Sequence, residues 1–278
     1  MKTARKRLMT WLIILLSLYV IYCGLLFFFQ TKLIFPSEFA GQPSQALPTL
    51  NTEVIELATD EGKTTAWFVP ALQASPETPA PLAMFFHGNA ELMDHQSGIV
   101  DLYQRLGVSV LMVEYRGYGH SEGSPSQAHI MEDSLAVMEQ VIKRDDVDAS
   151  KLTLHGRSIG GGLASQVALK SPPRALIVES TGTSVAGMAM KYGVPPFLVR
   201  SPLNTREAFT QLDLPILIMH GKDDEIFPVS HAHRLDDAGK QTTLVLFNAS
   251  HNTLPSGSEI DLYERSVGKH LRDAEIIP

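Results

Sequence analysis

The sequence predicts an α/β fold in which a mostly parallel sheet of eight strands, covered by helices on both faces, follows one apolar membrane-spanning helix. Three observations predict it. Strand-like and helix-like segments alternate from residue 53 onward, the pattern of βαβ units. From Leu82 the strand-like runs are short and continuously apolar, as strands buried on both faces must be. Residues 11–29 form a 19-residue stretch without a charge.

The first element is that stretch, Trp11–Phe29. At about 1.5 Å per residue a helix of this length covers nearly the ~30 Å hydrocarbon core. Lys2, Arg5, Lys6 and Arg7 precede it and Lys32 follows. The positive-inside rule therefore puts the amino terminus in the cytoplasm and the rest of the chain across the membrane, in the periplasm or outside if the source is bacterial. A cleaved signal peptide has an apolar region of about 7–15 residues with small residues close behind. Here the run is longer, and Gln30-Thr31-Lys32-Leu33-Ile34-Phe35 follows, which favours an uncleaved anchor. Tyr19 and Tyr22 are unusual for such a span, because they sit in its middle rather than at an interface. Cys23, the single cysteine, reads as a small apolar residue in lipid and excludes intrachain disulfides and a cysteine-based zinc site.

Residues 1–35 are thus a basic tail and anchor, and residues 36–52, with Pro36, Pro43 and Pro48, an irregular linker. Residues 53–278 make one domain. Its strands are expected at 53–57, 64–69, 82–87, 108–115, 151–155, 175–179, 214–220 and 243–247. The first two, separated by Asp60-Glu61-Gly62, form an antiparallel hairpin at one edge. Helices are expected at 92–105, 127–144, 160–170, 204–211, 229–238 and 258–272. Apolar residues make up 44% and charged residues 19%, enough for a core and too patterned for disorder, collagen or coiled coil. Beyond residue 32 the chain carries 18 basic and 30 acidic residues. Such a domain repels polyanions, so no nucleic-acid partner is expected. The oligomeric state is not legible.

The chemistry centres on Gly156-Arg157-Ser158-Ile159-Gly160, a G-x-S-x-G pattern. Leu152-Thr153-Leu154-His155 before it is strand-like and Gly161–Leu169 after it is helix-like, the setting a strained nucleophile turn requires. Positions two before and two after the serine must lack bulk, and both are glycine. A serine hydroxyl needs a base to take its proton and a third group to orient that base. On this kind of fold the order is serine, acid, histidine, at the carboxyl ends of later strands. Of ten histidines only His251, just past Leu244–Phe247, has both position and order. His231, His233 and His270 read as solvated on helix surfaces, and His155 and His220 as packed at strand ends. The acid is left among the adjacent Asp223 and Asp224, just past Ile216–His220, and Glu179, which closes the preceding strand. The developing oxyanion calls for backbone donors. The N–H of Ile159 and that of Asn89, in the loop His87-Gly88-Asn89-Ala90, are the candidates, with His87 bracing the loop. Triad and backbone donors suffice for the chemistry, so no metal and no organic cofactor are expected.

Together these residues resemble the α/β-hydrolase superfamily. His87-Gly88-Asn89-Ala90, Glu114-Tyr115-Arg116-Gly117-Tyr118-Gly119-His120-Ser121, Gly156-Arg157-Ser158-Ile159-Gly160-Gly161 and Asp224-Glu225-Ile226-Phe227-Pro228 are similar to its bud-emergence-type branch. Those are membrane-anchored hydrolases akin to serine aminopeptidase-like hydrolases and some protein depalmitoylases. The resemblance covers about residues 53–272. It implies the α/β-hydrolase fold and Asp224, in D-x-x-x-P, as the acid. Three positions depart from the branch: Glu91-Leu92 after the oxyanion loop, Glu114 in place of an aspartate, and Asn248-Ala249-Ser250 without a glycine before His251.

The expected function is a membrane-anchored serine hydrolase that forms an acyl-enzyme on Ser158 and cleaves carboxylic ester or thioester bonds. Only 34 residues lie between Glu179 and Leu214, too few for a large cap domain. Their apolar members, Met188, Met190, Tyr192 and Pro195–Val199, are expected to shape an acyl groove for a small-molecule or lipid-like substrate, or simply to pack. Two alternatives stand beside this. An aminopeptidase-like enzyme would need acidic groups near Ser158 to hold an amine, and a membrane-tethered binding module would keep the fold without turnover. A dehalogenase or epoxide hydrolase would carry aspartate, not serine, at the turn.

Overall fold

Residues 2–44, 47–255 and 257–278 are described by a computed structural model. All eight expected strands form: β1 (Glu53–Thr59), β2 (Gly62–Val69), β3 (Ala80–Phe86), β4 (Ser109–Val113), β5 (Val147–Arg157), β6 (Ala175–Glu179), β7 (Ile216–Gly221) and β8 (Thr242–Phe247). They make one sheet in the order β1-β2-β4-β3-β5-β6-β7-β8. β1 pairs with β2, and β2 with β4, antiparallel, and every later pairing is parallel. The β1–β2 hairpin therefore closes one edge, while β3 and β5 lie centrally.

Strand side chains point alternately to the two faces, and both faces are covered. Leu82, Met84 and Phe86 of β3 join Leu154 of β5 in one apolar layer. That layer is sealed by α3 (Gln127–Val141), α4 (Ile159–Lys170), α6 (Thr205–Gln211) and α7 (Ser230–Asp236). Ala83 and Phe85 face the other layer, sealed by α2 (Ser97–Arg105) and α8 (Ile260–Asp273). The chain crosses from strand to helix at the carboxyl ends of the parallel strands, and the loops carrying residues 87–91, 157–159, 222–228 and 248–252 gather there.

α1 runs as one helix over Lys2–Ile34, about 50 Å at 1.5 Å per residue. It is long and apolar enough to cross a membrane. Its first half stands clear of the domain, with Leu8 to Leu18 exposed. Its second half docks. Tyr19 Oη donates to Gly193 O and Tyr22 Oη to Tyr192 O, each at 2.8 Å. These bonds explain two tyrosines in the middle of an apolar run: their hydroxyls are spent on carbonyls of the domain. Cys23 is likewise buried rather than facing outward, and Phe35, one residue past α1, enters the first core layer. Of the 36–52 segment, Ser37–Phe39 makes a 3₁₀ turn, and residues 45 and 46 lie outside those described.

The stretch between β6 and β7 holds a helix the sequence pattern did not separate, α5 (Val185–Lys191), capped by Ser184 Oγ accepting from the Gly187 N–H at 2.8 Å. After β4, the chain is fixed by a buried ion pair. Arg116 donates to both oxygens of Asp133, each at 2.9 Å, and Thr64 Oγ1 donates to Asp133 Oδ2 at 2.7 Å. Removing Asp133 leaves the buried Arg116 hydrogen-bonded to the exposed Asp60, at 2.7 Å, and Thr64 without its acceptor. Asp133→Ala is expected to lower stability by about 3 kcal/mol or more, read as a fall in the thermal midpoint of detergent-solubilised protein. A change within the scatter of surface substitutions would contradict this.

Candidate active site

β5 ends at Arg157 and α4 begins at Ile159, so a single residue must turn the chain. Ser158 does so at φ +55° and ψ −117°, a conformation that costs a non-glycine residue roughly 1–3 kcal/mol. Its backbone is held from both sides. The Ser158 N–H donates to Glu179 O on neighbouring β6 at 2.7 Å, and the Gly161 N–H donates to Ser158 O at 3.1 Å. The flanking glycines are required by contact. A Cβ on Gly156 would lie 2.2 Å from Gly160 O, and one on Gly160 would lie 2.1 Å from Phe86 O.

The turn points Ser158 Oγ at His251, 3.0 Å from Nε2. On the other side of the ring His251 Nδ1 donates to Asp224 Oδ2 at 2.8 Å. With Nδ1 carrying the proton toward a carboxylate, Nε2 is left as an acceptor for the serine hydroxyl. Asp224 Oδ1 accepts from the N–H groups of Ile226 (2.9 Å) and Phe227 (2.7 Å). Burial pushes the Asp224 carboxyl up, but His251 and the Phe227 N–H outweigh it and hold it below the usual carboxylate range. His220 Nε2 donates to Phe227 O at 2.7 Å, and burial pushes its pKa down. The loop before His251 manages without a glycine, and its His251 N–H donates to Glu225 Oε2 at 3.2 Å.

The two other acids lie elsewhere. Asp223 is exposed, and its N–H donates to Ala249 O at 3.1 Å. The Glu179 carboxylate meets His155 Nε2 at 2.5 Å and accepts from Tyr263 Oη at 2.6 Å. Burial would raise Glu179, yet His155 and the Tyr263 hydroxyl keep its pKa lowered. Two histidines depart from expectation. His231 and His270 are buried, not solvated, and desolvation pushes both down to about 4. His231 sits against the site as an acceptor for the Thr183 N–H at 3.1 Å. Among the described residues no group of three or more His, Cys, Asp or Glu side chains converges on a metal position.

Asn89 and Ile159 both border the cavity beside Ser158. Among the described residues neither backbone N–H has a protein acceptor. The loop that carries Asn89 is braced from two directions. Glu91 Oε2 accepts from the Gly88 N–H at 2.9 Å, while Arg157 Nη1 lies 3.4 Å from Glu91 Oε1. Glu91, which departs from the resembled pattern, therefore links the loop to the serine turn. Beneath, His87 Nδ1 donates to Gly88 O at 2.8 Å and Nε2 meets Glu114 Oε1 at 2.9 Å, with the ring stacked on Tyr115. Both ring nitrogens face acceptors. Burial would lower the His87 pKa, but Glu114 and the Gly88 carbonyl raise it.

Ser158 opens onto a cavity of about 740 Å³, within the size range of small-molecule sites. Met188, Tyr192, Leu198 and Val199 line it, whereas Met190 and Phe197, expected in the groove, lie on the outer surface. The facing wall was not foreseen: it is α1, through residues between Tyr22 and Ile34. The sequence pattern could not signal this, because an apolar span looks the same whether one stripe meets protein or lipid.

A sheet of this order, with a serine on the β5–α4 turn and an acid and histidine after β7 and β8, defines an α/β hydrolase. The model of the family described as serine aminopeptidase, S33, matches residues 77–203. The α/β-hydrolase domain-containing protein WAV2 of Arabidopsis thaliana is 32% identical over 86% of this chain and 84% of its own. Protein bem46 of Schizosaccharomyces pombe is 33% identical over 77% and 76%. An esterase from Pyrococcus furiosus superposes with TM-score 0.65 at 14% identity, covering 84% of this chain and 97% of its own. A thermophilic esterase from Thermogutta terrifontis does so with TM-score 0.65 at 17% identity, over 82% and 96%. The chain belongs to the α/β-hydrolase family, in its bem46-type branch.

The His87–Glu114 pair makes a pH prediction with a definite sign. A histidine whose folded pKa exceeds its unfolded value adds stability that is complete below the ordinary 6.5 and is lost as pH rises through the raised value. The thermal midpoint of the wild type should therefore gain from this pair at acidic pH and lose that gain toward alkaline pH. Glu114→Gln should flatten that component of the curve; an unchanged profile would count against a charged His87.

Proposed function

We propose that the protein is a membrane-anchored serine hydrolase that cleaves carboxylic ester or thioester bonds through an acyl-enzyme on Ser158. One observation carries this: a hydroxyl on a strained turn, 3.0 Å from an imidazole that a buried carboxylate holds at 2.8 Å, at the edge of an apolar cavity. Ser158 Oγ attacks the acyl carbon while its proton passes to His251 Nε2. Asp224 fixes the tautomer and stabilises the imidazolium. The tetrahedral oxyanion is held by the N–H groups of Ile159 and Asn89. Its collapse expels the alcohol or thiol, which takes the proton from His251. A water then attacks the acyl-enzyme, again giving its proton to His251, and the acid leaves as Ser158 is restored.

The cavity lining favours an acyl group over a peptide amine. Its only acid among the described residues is Glu91, already engaged by Gly88 and Arg157. The basic residues before α1 support an orientation with the amino terminus in the cytoplasm and the hydrolase domain on the opposite side. Residues 36–52 then link the anchor to a domain of residues 53–278.

Ser158→Ala is expected to abolish both p-nitrophenyl ester hydrolysis and labelling by a fluorophosphonate. Asp224→Asn, which leaves His251 in the wrong tautomer, should lower kcat roughly 10⁴-fold. Undiminished labelling of Ser158→Ala would contradict the assignment. Across esters of graded chain length, turnover should rise with the apolar part that enters the cavity; no preference among them would remove its role.

A further inference from the structure

We infer that α1 is a wall of the acyl site as well as its tether, and that the site takes its substrate sideways from the bilayer, as an ester of a lipid whose acyl chain lies in the leaflet. This rests on the serine-hydrolase function proposed above and adds its substrate class.

The first support is an overlap along the helix. The uncharged stretch runs from Trp11 to Phe29, while the stretch bonded to the domain runs from Tyr19 to Ile34. The shared residues, 19–29, span about 16 Å at 1.5 Å per residue. That segment cannot lie in hydrocarbon unless the part of the domain docked to it does too. The outward face of the same segment demands lipid: Val20, Ile21, Leu25, Phe28 and Phe29 are each 56–76% exposed. Beside it the β6–β7 excursion presents Met190, Tyr192 and Phe197 at 61–85% exposure, with Lys191 and Arg200 among them. Exposed aromatic and apolar groups mixed with cations fit the membrane–water interface.

The second support is that the docked helix bonds the polar side chains of Tyr19, Tyr22 and Gln30 to the domain, as burial in lipid requires of them. Besides the two tyrosines, Gln30 bonds at both ends of its amide. Its Oε1 accepts from the Arg200 N–H at 2.7 Å and its Nε2 donates to Leu198 O at 3.1 Å. The third is position. Leu26, Phe27 and Leu33 line the same cavity as Ser158, and Asn89 Nδ2 donates to Ile34 O at 3.4 Å, so α1 ends against the oxyanion loop. A chain leaving the serine along this wall runs up the helix toward hydrocarbon. A short water-soluble ester would leave the wall uncovered.

The test uses the full-length chain in phosphatidylcholine vesicles and a long-chain alkyl fluorophosphonate with a diazirine at the chain end. Ser158 Oγ displaces fluoride at phosphorus, and light then marks what the chain touches. The expected result is a Ser158 adduct whose crosslinks fall within residues 22–34. An adduct whose crosslinks fall only on residues 185–199 or elsewhere in the domain, with none on residues 22–34 or on lipid, would overturn the inference and leave the hydrolase standing. No adduct would overturn the hydrolase itself. In parallel, the turnover ratio of 1-palmitoylglycerol in vesicles to p-nitrophenyl acetate should fall tenfold or more in Leu26→Trp and change less than twofold in the outward-facing Leu25→Trp. An unaltered ratio in Leu26→Trp, or faster turnover of a palmitoyl-cysteine peptide than of the glycerol ester, would contradict the assignment.

Discussion

The site depends on holding Ser158 in a backbone conformation that an isolated chain would leave. The strain at φ +55° is sustained because β5 is clamped between β3 and β6, so the Ser158 N–H must meet Glu179 O. The tight packing of Gly160 under Phe86 O leaves the α4 amino terminus nowhere else to begin. From that point the geometry follows. Ile159 begins a helix with its N–H free of acceptors among the described residues, and Ser158 Oγ is lifted above the sheet edge, where the loops after β7 and β8 deliver Asp224 and His251.

Behind this edge the protein keeps two buried histidine–carboxylate pairs besides the one between His251 and Asp224. His87–Glu114 supports the loop that offers the Asn89 N–H, and His155–Glu179 sits under the strand that accepts from Ser158. Each carboxylate, ion-paired with its histidine, also accepts a hydrogen bond, from the Met93 N–H for Glu114 and the Tyr263 hydroxyl for Glu179. Buried charges persist only where they are paired and hydrogen-bonded. In the proposed mechanism these pairs stiffen the two backbones that would receive the oxyanion, which is where preorganisation counts most. The ion pair of Arg116 with Asp133 performs the same service for the loop carrying Glu114.

Much of this was legible because the relevant signals are local. Continuous apolar runs mark β3 to β7, and the Asp60-Glu61-Gly62 turn marks the antiparallel edge; all eight strands appear in place. Ser158, Asn89, Ile159 and His251 could be named from a strand–turn–helix setting and from chain order. The choice among Asp223, Asp224 and Glu179 could not, since adjacent residues after a strand differ only in which way the turn aims them. His231 and His270 depart from the sequence pattern for a related reason: a polar residue on a helix reads as solvated, whereas here tertiary contacts bury both. The docked half of α1 was barely marked. A helix with lipid on one side and protein on the other has no polar face to betray the contact, and Tyr19 and Tyr22, out of place in an apolar span, are its one trace in the sequence.

The central claim is that Ser158, His251 and Asp224 act on an acyl group whose oxygen is received by two preformed backbone donors. It is tested most directly by an experimental structure of the protein phosphonylated at Ser158. The account places the phosphonyl oxygen about 2.7–3.1 Å from both the Asn89 and the Ile159 nitrogens, with the alkyl chain entering the cavity beneath α1. An oxygen directed to solvent, or held by groups other than these two, would contradict it.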